Sequence, residues 1–311
     1  MYKIAIIILV LVIPSGLRGQ DDIDICACCA YSTLDYFDDY EQIFKADLIK
    51  SNKITEVMVY TETRPNTDTI PSLKYREAKF SFNKKGLVES KTNYNRMGKP
   101  HSIYTIKRDK AGKVLQRTFN YIDSLEQKEL VFGVEIFDFI YDTRGRLHKV
   151  KERDYKGRKL PDDRAFYTQF RYDNEDRVVE VLSHRNFNDN PTVSIKTINF
   201  HKDSLTATSQ TLYDGKLGTS AKVIFNEEGQ ELYTKIINEA YNTLAFETTF
   251  EYDEKGRLIK LQLRSGPRTV DECPENSNFV DTYYYNDNDF LSVIDHEFDG
   301  NLCKMTFEYK K

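Results

Sequence analysis

The sequence predicts an all-β protein: a long antiparallel meander of hairpin repeats, curling into a shell, trough or barrel-like wrap, with one short N-terminal helix. Three observations predict it. A turn motif recurs along the chain, an aromatic followed by Asp or Asn, two variable residues and Gly. Between turns the residues alternate, with Phe246, Thr248, Phe250 and Tyr252 on one face and Glu247, Thr249 and Glu251 on the other. That period of two belongs to strands. The aromatics are 21 Tyr and 19 Phe with no Trp, a composition that favours strands when Thr, Val and Ile are also abundant.

Residues 1–19 read as a secretory signal peptide, with Lys3, an apolar run from Ile4 to Ile13, Pro14-Ser15-Gly16 and the small Gly19. That run is too short to cross a hydrocarbon core, which needs about 20 apolar residues. Cleavage before Gln20 leaves a chain with no transmembrane anchor, exported to the periplasm, cell surface or extracellular space. Residues 20–53 form a Cys-rich segment followed by a helical stretch over 34–52. The repeat domain then runs over 54–311, with its first strand near 54–62.

The motif returns at Asn83…Gly86, Asp142…Gly145, Asn226…Gly229 and Asp253…Gly256, with degenerate copies at Asp173…Asp176, His201…Ser204 and Asn286…Asp289 and, without its aromatic, at Asp109…Gly112. Intervals of roughly 25–33 residues mark a repeat array. The chemistry is that of a turn. Asp or Asn opens a type I turn by accepting from its own backbone, and Gly closes it at positive φ. Weaker turn signals fall between these, so the chain reads as roughly 16–18 strands. Open sheets rarely exceed about ten strands without curling, hence the wrap; the alternative is a sandwich folded from two halves.

"YDTRGRL" (141–147) and "YDEKGRL" (252–258) resemble the YD repeats of RHS proteins and teneurins, a resemblance covering about residues 75–309. It implies a spiralling antiparallel sheet that encloses a chamber in the large members. Those members also carry a self-cleaving region and a C-terminal toxin, whereas this sequence stops two residues after Tyr309. The chain is more similar to small exported YD-repeat proteins of Bacteroidota type. In that setting Thr69, Ser124 and Ser204, each in an Asp-Ser/Thr-apolar triplet, are candidate O-glycosylation acceptors.

Five cysteines lie at 26, 28, 29, 273 and 303, and an exported chain meets oxidising conditions. Cys273 and Cys303 fall at the same rim of the meander, which makes them a disulfide candidate. The rival links either of them back to the Cys26/Cys28/Cys29 cluster. No cofactor or metal is expected: zinc-type C-x-x-C spacing is absent, and the Asp173–Asp176 and Asp287–Asp289 clusters lack a calcium-loop spacing. The formal charge of −4 is spread among mixed acids and bases, which excludes an electrostatic footprint for nucleic acid. No nucleophile elbow, zinc-protease helix or phosphate loop occurs. His101, His148, His184, His201 and His296 read as strand-surface residues. The sequence therefore points to a non-catalytic binding or structural module, with a glycan or envelope protein as candidate partner. The alternative is a loop-based, glycan-directed hydrolase on the same scaffold.

Overall fold

The computed structural model describes residues 43–64, 73–123, 128–153, 158–159, 166–187, 190–201, 205–266, 278–298 and 301–311. A short helix, α1 (Ala46–Ser51), precedes β1 (Glu56–Arg64), β2 (Leu73–Phe82), β3 (Val88–Tyr94) and β4 (Pro100–Arg108). Then come β5 (Val114–Asp123), β6 (Lys128–Tyr141), β7 (Leu147–Glu152), β8 (Tyr167–Tyr172) and β9 (Val178–Phe187). β10 (Asn190–Phe200), β11 (Thr206–Tyr213), β12 (Lys216–Phe225), β13 (Glu231–Asn238) and β14 (Thr243–Tyr252) follow. The last four are β15 (Leu258–Ser265), β16 (Phe279–Tyr285), β17 (Leu291–Phe298) and β18 (Asn301–Lys310).

Each strand pairs antiparallel with its sequence neighbours, and β18 pairs with β1 through a register running from Glu56↔Lys310 to Arg64↔Leu302. The sheet is a closed 18-stranded barrel. Closure removes both edges, the places where a sheet is open to unwanted pairing. It also replaces the two-halves sandwich, since no pair of strands opens into a second sheet.

The apolar face is the inner one. The smaller of two core clusters among the described residues gathers Phe170, Val178 and Val181 on β8 and β9. The larger collects Leu261 of β15, Tyr283 of β16, Ile294 of β17, Phe307 of β18, Val57 and Val59 of β1, Phe80 of β2, Val88 of β3 and Ile106 of β4 around Phe44 and Ile49. Laid flat, those strands would span roughly 34 Å, against about 9 Å for a six-residue helix. Only a wall curving round α1 brings them together. The opposite, outer positions carry Arg76, Lys107, Lys222, Glu251, Arg264, Glu297 and Glu308, all exposed.

The helical stretch expected over 34–52 is interrupted within the described residues. Lys45 is extended, with φ −62° and ψ 113°, and the break turns Phe44 inward against Phe80 (centroids 4.9 Å apart), Phe82 (5.3 Å) and Phe307 (6.4 Å). α1 ends in a paired cap. Lys53, at φ 57°, donates its N–H to Lys50, and Ile54 donates to Ile49 at 3.0 Å. Ile49 and Ile54 both enter the core, the hydrophobic contact such a cap usually brings. No helix among the described residues is long and apolar enough to cross a membrane.

Candidate functional site

All the repeat turns lie on one rim, here the repeat rim. The carbonyls of Asn83, Asp109, Asp142, Asp173, Asn226, Asp253 and Asn286 each accept from the amide three residues on, at 2.9–3.3 Å. The closing residue is left-handed throughout: Gly86, Gly112, Gly145, Gly229 and Gly256 at φ +69° to +100°, with Asp176 at 61° and Asp289 at 63° in the degenerate copies. A register shift precedes each of these turns, as between Glu251 and Tyr252, so Tyr252 faces Leu258 and Tyr141 faces Leu147.

Successive repeats are clasped together. The Tyr hydroxyl of one repeat donates to a backbone carbonyl just past the turn of the preceding one. The pairs are Tyr141 to Val114 (2.8 Å), Tyr172 to Leu147 (2.6 Å), Tyr252 to Glu231 (3.0 Å), Tyr285 to Leu258 (3.0 Å) and Tyr309 to Leu291 (2.7 Å). The arginine after the Gly does the converse. Arg257 donates to its own Asp253 (2.6 Å) and to Asp289 of the next repeat (2.7 Å), and its guanidinium lies 4.4 Å from the Tyr285 ring centroid. Arg146 does the same with Asp142, Asp176 and Tyr172. Desolvation pushes Asp142, Asp173 and Asp253 up, but backbone and arginine hydrogen bonds outweigh it and hold all three below the usual aspartate range.

Two polar constellations lie inside, among other buried polar residues such as Lys91 and Thr61. The first is a sealed row across three neighbouring strands. His296 Nδ1 and Asp281 Oδ1 share a hydrogen bond at 2.6 Å, and Cys303 is the register partner of His296. Asp281 is 0% exposed, Cys303 2% and His296 3%. His296 is thus not a surface histidine. Its place in the inward alternation of Ile294, His296 and Phe298 carries it inside, where its ring tilts over Phe279 with centroids 5.1 Å apart. Burial pushes the Asp281 carboxyl up, partly offset by the histidine, and drives the enclosed Tyr283 phenol well above its ordinary value. An Asp–His–Cys order suits nucleophilic chemistry, but no substrate reaches side chains this enclosed. The His296–Asp281 bond pins β17 to β16, with Cys303 of β18 next in register.

The second constellation lies across the lumen wall on β10 and β13. Burial pushes the Lys196 amine down and the Glu231 carboxyl up, each partly offset by the other's charge. Thr234 donates to Glu231, and the inward positions between the two strands carry small side chains, Ala207, Ser209 and Ala221. No signal in the sequence marked this pair, because its members are far apart in the chain and join no motif. Among the described residues no group of His, Cys, Asp and Glu could hold a metal ion.

Cys303 is buried at the end of β18 away from the repeat rim, opposite Thr63. Its expected disulfide partner Cys273 lies outside the described residues, as do Cys26, Cys28 and Cys29 and the candidate acceptors Thr69, Ser124 and Ser204.

No protein-family model matches the chain, and no curated protein does. Solved structures do. The crystal structure of TcdB2-TccC3-TEV aligns at 10% identity over 79% of this chain and 14% of its own length, with a TM-score of 0.28. A porin-like protein from Bacteroides uniformis aligns at 10% identity over 83% of this chain and 96% of its own, with a TM-score of 0.40. A second porin-like protein, from Bacteroides vulgatus, gives 11%, 83%, 98% and 0.31. The chain spans about a seventh of TcdB2-TccC3-TEV, and likenesses this remote carry no functional argument.

Proposed function

We propose that this protein is an exported, non-catalytic YD-repeat barrel acting as a binding or structural module of the cell envelope or extracellular space. The observation that supports the reading is the use of the repeat residues. Tyr, Asp, Gly and Arg of each repeat bond to one another and to the next repeat, so the motif builds wall. Residues 1–19 serve as the leader, 20–53 as a Cys-rich lead-in and 54–311 as the barrel. The barrel is water-facing. A membrane barrel turns an apolar band outward, and a lipid-facing Arg or Lys near midplane costs about 2–4 kcal/mol, whereas this outer face is studded with both.

Expression of the full sequence with its leader, followed by fractionation, tests the proposal. The expected product starts at Gln20, leaves the cytoplasm, and stays in solution without detergent. A hydrolase panel on that product should show no turnover. A detergent-dependent membrane pellet, or turnover abolished by one carboxylate variant, would overturn the reading.

A further inference from the structure

The mixing of acids and bases along the chain breaks down over residues 20–42, which hold seven acids and not one Lys or Arg. Four of the acids, Asp35, Asp38, Asp39 and Glu41, are interleaved with Tyr36, Phe37 and Tyr40 just ahead of Ile43. Residues 20–42 lie outside the described ones. Ile43 packs against the core, and by Ala46 the backbone lies against Gly86, in the turn from β2 to β3.

That same turn forms one wall of a cleft of about 540 Å³ on the repeat rim, and the turn from β4 to β5 forms the other. Phe82 and Ile106 give it an apolar floor, with Lys84, Lys85, Arg108 and Lys110 set against two acids, Glu89 and Asp109. The Asp109 carboxylate is already committed, accepting the Lys113 amide N–H at 2.8 Å. Lys85 Nζ ties the two walls together by donating to the Lys110 carbonyl, a bond that leaves its charge unmatched. Among the described residues none of these three lysines makes an ion pair, and all three are exposed. Bases of other rim turns are neutralised. Lys255 and Arg257, in a second cleft beside α1, each bond Asp289 at 2.7 Å, and Arg144 and Arg146 both meet Asp176.

We infer that the acidic segment 35–41 docks in the cleft between these two turns, with its carboxylates on the lysines and its aromatics toward Phe82 and Ile106. Reach is no obstacle. The 83–86 turn both walls the cleft and touches the backbone of α1, and the eight residues back from Ile43 to Asp35 span about 12 Å even when helical. The tether also favours this occupant over an outside anion. A short tether holds its end at an effective concentration in the millimolar range, which a dissolved carboxylate or phosphate must match to compete.

Zero-length crosslinking with a water-soluble carbodiimide, on the chain from Gln20 onward at low salt, tests the docking by peptide mapping. Amide links should join Asp35, Asp38, Asp39 or Glu41 to Lys84, Lys85 or Lys110, and should be rarer from the segment to Lys255. In about 1 M salt, where charges are screened beyond about 3 Å, their yield should fall about fivefold or more. Lys84→Glu, an exposed turn substitution that leaves the Lys110 amine in place, should cut the yield at Lys110 similarly. Absence of links to the cleft lysines would overturn the inference. So would links to Lys255 in equal yield, or a yield indifferent to both salt and Lys84→Glu. Mixing isotopically light and heavy chains identifies the donor: links within one chain support the docking, and links joining light to heavy would make a second copy the occupant and overturn it.

Discussion

Substituting Ala for Gly86 and, separately, for Gly98 separates two costs that coincide at the repeat turns. Both glycines are left-handed, at φ +79° and +74°. An added Cβ at Gly98 meets nothing within 4 Å, so Gly98→Ala carries only the backbone cost, about 1–2 kcal/mol. At Gly86 the same Cβ would run into the Ala46 carbonyl and approach the Lys50 N at 3.1 Å. Those are backbone atoms of α1, and α1 can yield only by lifting off the rim. Lifting exposes Phe44 and Ile49, now 2% and 1% exposed, each worth about 1.5–3 kcal/mol when fully buried. With partial re-covering, Gly86→Ala should cost about 2–4 kcal/mol beyond Gly98→Ala. Urea unfolding followed by far-UV circular dichroism measures both. Phe44→Ala added to Gly86→Ala should cost little more, since both disrupt one docking event. Equal midpoints for the two glycine variants, or full additivity with Phe44→Ala, would refute the docked-helix argument.

Further outcomes follow from the clasps and the interior. Tyr285→Phe, which removes only the hydroxyl given to Leu258, should cost about 1 kcal/mol, and thermal melting that leaves it at wild-type stability would remove the clasp. His296→Ala should cost about 3–5 kcal/mol by leaving Asp281 buried and unpaired, and a loss below about 1 kcal/mol would show the row to be open to water. The lowered carboxyls Asp142, Asp173 and Asp253 stabilise the fold above the ordinary aspartate value of about 3.9. That contribution is lost as pH falls through their depressed folded values, so stability should decline below about pH 4. The decline should be shallower in Arg146→Met/Arg257→Met, and equal acid slopes would refute it. Non-reducing peptide mapping should recover a Cys273–Cys303 crosslink, worth roughly 3–4 kcal/mol on the chain-entropy model. An unmodified thiol at Cys303 would end that proposal.

The meander was legible because its information is local. Asp253 to Gly256 specify a turn through their own backbone, and the Phe250/Glu251 alternation assigns the faces. Closure was not legible. Nothing in β1 or β18 alone states that Val59 will face Phe307, since curvature accumulates from many small twists. Phe44 escaped for a related reason: helical periodicity runs through it, and only the aromatic cluster it enters explains the break. His296 looked like surface because one polar residue in an apolar alternation is ambiguous until Asp281 is seen beside it.

The seam between β1 and β18 also sets an order of events during synthesis. Thr55 donates its N–H to the carbonyl of Lys310 at 2.8 Å, so β1, already paired with β2, finds its second partner only when the chain has been made as far as Lys310. Until then a growing chain can add hairpins one after another, each local and quick to form, but it carries β1 with one edge unpaired the whole way. Long-range pairing of this kind is slow and leaves edges open to other chains. A nascent barrel therefore has a window of vulnerability that stays open until β18 has been made, and its pairing with β1 closes it.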